Sequence, residues 1–162
     1  MPCDPPGAGR ATRIVLASDS MAVREALGRL VQALRLQALP EEDCGTAEIV
    51  LAEALNNVVE HAYAASPGEI ELTVTLSGGA LTCTIRDQGR PMPGALPPGT
   101  LPPLAPPDHI PEGGFGWYLI RALSRDLHYR RQDGHNLLSF RVGREQSPPG
   151  VGAVSRPETT PD

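Results

Sequence analysis

The sequence predicts an α+β fold, a two-layer sandwich with helices on one face of a mixed or antiparallel sheet. Three observations lead there. Apolar spacing switches along the chain between a period of two and a period near that of a helix. The segments run strand, two helices, two strands, a proline-rich loop, one helix and two strands, an order that sets helices against one sheet. The 162 residues, 40% of them hydrophobic, suffice for one buried core.

Each element follows from its residues. Arg13-Ile-Val-Leu-Ala17 is short, apolar and partly β-branched, as a first strand should be. Asp19 or Ser20 then supplies a helix cap. From Met21 to Leu39 the residues Val23, Ala26, Leu27, Leu30, Val31 and Leu34 recur at helical spacing, and Pro40 closes the run. A second helix is expected from about Glu41 to Ala64, with Glu41, Glu42 and Asp43 at its positive end. Its apolar side is Leu51, Leu55, Val58, Val59 and Ala62. Ile70, Leu72, Val74 and Leu76 alternate with polar residues, and Gly78-Gly79 joins this strand to Leu81–Ile85 as a hairpin. Trp117 to Leu123 reads as a short helix. Leu127–Arg131 and Asn136–Val142 read as strands around a turn at Asp133-Gly134.

Nine of the 18 prolines (91, 93, 97, 98, 102, 103, 106, 107 and 111) lie between two of these elements. Proline lacks the N–H that helices and central strands need, so a loop of about residues 90–112 is expected. Loops of that length in a compact domain are often functional. The organisation predicted is a flexible N-terminus at 1–11, a folded domain at 12–143 and a polar, proline-rich, disordered tail at 144–162.

Composition excludes several classes. A net charge of -5 argues against a nucleic-acid surface, and 4% aromatic content argues against a base-stacking platform. Cys3, Cys44 and Cys83 are scattered, with no zinc spacing, and read as reduced thiols of a cytoplasmic protein. Neither a signal peptide nor a membrane span is expected.

Three stretches carry chemistry. In Glu53-Ala-Leu-Asn56-Asn57-Val-Val-Glu60-His61-Ala-Tyr63, Glu53 and Asn57 are four residues apart on a helix, so they share a face. A carboxylate beside a neutral amide oxygen suits a phosphate site that holds Mg²⁺, which needs few protein ligands. His61 follows on the same helix, as either a structural hydrogen-bonding residue or a site neighbour. Asp87-Gln-Gly89-Arg-Pro91 puts a carboxylate after a strand and a glycine in the following turn. In Gly113-Gly114-Phe-Gly116, small residues precede an apolar helix, where backbone N–H groups can approach phosphate. No Gly-Lys-Ser/Thr follows, so this is no Walker loop.

In this order the three stretches resemble the nucleotide-site boxes of the GHKL ATPase superfamily. Their wording resembles most its anti-sigma regulatory branch, the serine-protein kinases that hold sigma factors. The resemblance covers roughly residues 13–142 and implies the Bergerat fold with ATP and Mg²⁺ as cofactors. Carried over residue by residue, Asn57 would be the magnesium ligand and Glu53 the general base. Asp87 would accept a hydrogen bond from the adenine amino group, and Gly89 would let the backbone pass close to the base. Gly113, Gly114 and Gly116 would cradle phosphate, and Ser139 would place a hydroxyl near adenine. The implied partners are an anti-sigma factor antagonist, as phosphorylation substrate, and a sigma factor. Homodimers are common in the branch, and the apolar first strand and helix can serve either a dimer contact or the core. Two other readings stand beside this one: a non-catalytic module that sequesters a partner, and a detached histidine kinase domain. The latter needs a histidine on a dimerisation helix, and the first helix has none.

Overall fold

The computed structural model describes residues 9–92 and 115–144. Five strands form one sheet in the order β1-β2-β3-β5-β4: Arg10–Ala17, Glu69–Ser77, Ala80–Asp87, His135–Val142 and Arg125–Gln132. Every neighbouring pair is antiparallel. Three helices, α1 (Ser20–Leu36), α2 (Glu41–Asn57) and α3 (Phe115–Leu123), make the second layer. This is the predicted α+β sandwich, with the antiparallel form of the sheet.

Local chemistry sets the joints. Asp19 is the cap of α1, and its carboxylate accepts the Ala22 N–H at 2.8 Å. α1 ends three residues earlier than Leu39. Ala38 turns left-handed (φ 60°) and Leu39 N–H returns to Leu34 O, so the buried Leu39 closes the helix end as a cap. Gly78 and Gly79 (φ 60° and 80°), and likewise Asp133 and Gly134 (φ 51° and 77°), supply the paired positive dihedrals that hairpin turns require. β1 begins at Arg10, so residues 10 and 11 are strand and not part of a loose N-terminus. The tail expected to be disordered lies almost wholly outside the described residues.

The core sits between the layers. α2 is its centre: Cys44, Ala47, Val50, Leu51, Ala54 and Leu55 are all fully buried. Leu72, Cys83, Ile85 and Phe140 meet it from the sheet. A Leu side chain so enclosed contributes roughly 1.5–3 kcal/mol relative to exposure. Burial pushes the Cys83 thiol up to about 12, so it is an inert packing group. Among the described residues, no helix is long and apolar enough to cross a membrane.

One departure shapes the site. The second helix does not run on as an α-helix to Ala64. After Asn57 it widens into a π-helical turn, Val58–Ala62, closed by Tyr63 N–H to Val58 O at 3.2 Å. Such turns are rare and concentrate at functional sites.

Candidate nucleotide-binding site

The end of α2, the π turn, the end of β3, the first turns of α3 and the inner face of β4–β5 enclose one cavity. Asn57, His61, Ala62, Asp87, Trp117 and Asn136 are among its walls. It offers about 40 Å³ to the centres of water-sized molecules, room for a few waters, and is open to solvent on one side. Residues 90–92 are the wall outside any helix or strand.

Asn57 reaches this space because it ends α2, one turn after Glu53. Its Nδ2 is buried and has no hydrogen-bond partner among the described residues. An orphaned buried N–H₂ is costly unless an acceptor, such as a phosphate oxygen, meets it. Glu53, one turn back, faces the start of α3. A Cβ on Gly116 would lie 2.7 Å from Glu53 Oε2 and 3.7 Å from Asn57 Oδ1. Gly116 is thus small because the Glu53 carboxylate occupies the space of a side chain. That contact brings the first and third sequence stretches together. Gly113 and Gly114 lie outside the described residues.

Asp87 closes β3 rather than following it. It continues the inward series Leu81, Cys83, Ile85 and is 5% exposed. Its Oδ1 accepts Gly89 N–H at 2.9 Å and Asn136 Nδ2 at 2.8 Å. Burial pushes its carboxyl above the usual aspartate range. The donors from Asn136 and Gly89 and the nearby Arg131 charge hold it partly back.

Gly89 serves a close approach, though to the chain itself. A Cβ there would lie 2.5–2.6 Å from Ala62 O, C and Cβ. Arg90 N–H donates to Ala62 O at 2.8 Å, stitching this loop to the π turn. Gly89→Ala is expected to lift the loop off and destabilise the fold by about 1–3 kcal/mol. A denaturant midpoint equal to wild type would contradict this. Tyr63 secures the other side: its hydroxyl donates to Glu69 O at 2.7 Å and accepts Gln88 N–H at 3.0 Å.

Ser139 requires a correction. In β5 the inward residues are Asn136, Leu138, Phe140 and Val142, so Ser139 points to the opposite face. There it is the register partner of Thr84 and His128. It cannot meet a base held between the layers, and Asn136 and Leu138 line the cavity instead. A wider hollow of about 540 Å³ lies on the side of Arg13, Glu71 and Arg86. It holds neither Asn57 nor Gly116. Asn136, Tyr129 and Arg131 are the site residues that motif reading passed over. Their signal was a polar residue on the buried parity of β5.

Fold and site together define a GHKL-type α+β domain. The chain belongs to the Histidine kinase-like ATPase domain family, whose pattern matches residues 16–142. It is similar to the serine-protein kinase RsbW of Bacillus mycoides, at 30% identity over 109 residues, covering 65% of this chain and 68% of the relative. The same figures hold for RsbW of Bacillus cereus. Among solved structures, the RsbU and RsbW domains of a Mycobacterium tuberculosis protein share the fold. The TM-score is 0.59 at 19% identity, over 83% of this chain and 32% of that one. This chain therefore spans about a third of that structure's chain.

Proposed function

We propose that the chain is a cytoplasmic, ATP-dependent serine/threonine-protein kinase and anti-sigma factor that phosphorylates a small antagonist protein. The observation that carries this is the meeting of Asn57 and Asp87 at one cavity, with Glu53 against Gly116 beside it. The similarity to the Bacillus serine-protein kinases supports the same reading.

The residues fit a nucleotide with its metal. Among the described residues, no three His, Cys, Asp or Glu side chains cluster as a metal cage. Asn57 would hold Mg²⁺ jointly with phosphate oxygens and water, as this ion prefers. When bound, the metal neutralises charge on the phosphates. Asp87 Oδ2, free of hydrogen bonds among the described residues, would accept from the adenine amino group. Guanine offers a carbonyl there and leaves two acceptors facing. The backbone N–H groups that open α3 would face phosphate. Glu53 would take the proton from the substrate hydroxyl as its oxygen bonds to the γ-phosphorus and ADP departs.

Regulation would follow from unequal partner affinities in the ATP and ADP states, a sigma factor being held in one and the antagonist in the other. Incubation with ATP, Mg²⁺ and a candidate antagonist, followed by intact-mass measurement, tests the kinase reading. One added phosphoryl group on the antagonist supports it. An unmodified antagonist beside nucleotide-bound protein favours a sequestering module without catalysis.

A further inference from the structure

Three residues stand in register across three strands: Asp87 on β3 opposite Asn136 on β5, and Asn136 opposite Arg131 on β4. Cross-strand neighbours on one face are close enough to bond, and these do. Asn136 Nδ2 donates to Asp87 Oδ1 and to Arg90 O, both at 2.8 Å. Arg131 Nη1 donates to Asn136 Oδ1 at 2.7 Å and to Gly89 O at 2.9 Å. Tyr129 Oη donates to Asn136 Oδ1 at 2.8 Å and accepts Met92 N–H at 2.9 Å.

The amide has one permissible orientation. A guanidinium can only donate, and the Tyr129 hydroxyl, while accepting Met92 N–H, gives its one O–H to the same amide. The guanidinium therefore demands an oxygen, and the hydroxyl is satisfied by the same atom. The carboxylate and the Arg90 carbonyl both demand an N–H. A flipped Asn136 would set N–H against guanidinium and oxygen against carboxylate. Arg131 thus fixes Asn136, and Asn136 fixes Asp87. With Gly89 N–H and Asn136 both on Oδ1, the other carboxylate oxygen remains for a ligand's donor.

We propose that Asn136 and Arg131 are positioning residues for base recognition: they lock the Asp87 carboxylate so that it selects a purine bearing a 6-amino group. The inference deepens the adenine-nucleotide reading above and rests on it. The same network ties residues 89–92, of which 90–92 line the cavity, to the β4–β5 hairpin.

The test compares ATP with purine riboside triphosphate, which lacks only the 6-amino group. Affinities are measured by calorimetry for wild type, Asn136→Ala and Arg131→Ala, with thermal melts for each. Wild type is expected to prefer ATP on the order of tenfold or more, the scale of one hydrogen bond to a charged group. In Asn136→Ala the preference should fall to a few-fold, chiefly through loss of ATP affinity. Arg131→Ala should fall between. Arg131 is solvent-exposed at the sheet edge, so this variant decides the matter if Asn136→Ala unfolds. A purely structural role would weaken both nucleotides alike and keep the ratio, which overturns the inference alone. A wild type indifferent to the 6-amino group overturns the base-recognition reading and the inference with it.

Discussion

Glu53→Gln is expected to lower phosphoryl transfer by about 10²–10⁴-fold, the usual contribution of a positioned general base, with ATP affinity nearly unchanged. The substitution keeps shape and loses basicity. The side chain lies against Gly116, where a Cβ would come within 2.7 Å of Oε2, so volume matters and Gln preserves it. The carboxylate stands one helical turn from Asn57 and is not among the walls of the cavity that Asp87 borders. Its loss should therefore spare binding of the base. Single-turnover transfer followed by intact mass gives the rate, and calorimetry gives the affinity. Transfer at the wild-type rate would refute the assignment of Glu53 as base. Loss of affinity in proportion to rate would make it a binding residue instead.

Asp87→Asn is expected to stabilise the fold while removing adenine recognition. The sign follows from the raised carboxyl pKa, whose main cause is burial. The folded state holds the proton more tightly than the unfolded chain. Stability is then greatest below the ordinary aspartate value and falls as pH rises towards the raised folded value. At neutral pH the ionised, buried Asp87 is a net cost to folding. Asn keeps an oxygen for Gly89 N–H and Asn136 without the charge, so its melting temperature should exceed wild type at pH 7. The gap should shrink as pH falls through that window. An amide N–H₂ at Oδ2 would face the adenine amino group donor to donor, so ATP affinity should drop by on the order of 100-fold. A less stable variant, or one that binds ATP as wild type does, would contradict this account. A residue that costs stability and is nonetheless present is best understood through the ligand it serves.

Much of this was legible in the sequence because the signals are local. Helical spacing set Glu53 and Asn57 on one face, and alternation with glycine turns gave both hairpins. Strand parity carries further information. Leu81, Cys83 and Ile85 define an inward series, and Asp87 simply continues it past the expected strand end. The same rule places Asn136 with Leu138 and Phe140, inside, and Ser139 outside. The π turn left no such trace. The turn between Asn57 and Tyr63 closes through backbone alone, Tyr63 N–H on Val58 O, and Arg90 N–H from outside the helix takes Ala62 O at its end. Nor could local reading show that Arg131, Asn136 and Asp87 are neighbours. Their meeting depends on β5 inserting between β3 and β4, a contact between residues 49 apart in the chain.

The central claim is that Asn57, Asp87 and the start of α3 form one site for ATP with Mg²⁺. Calorimetric titration of the purified chain with ATP, first with Mg²⁺ and then with the ion chelated, tests it most directly. The account predicts saturable binding at one site per chain, weakened sharply by chelation. No heat of binding, or an affinity indifferent to the metal, would contradict it.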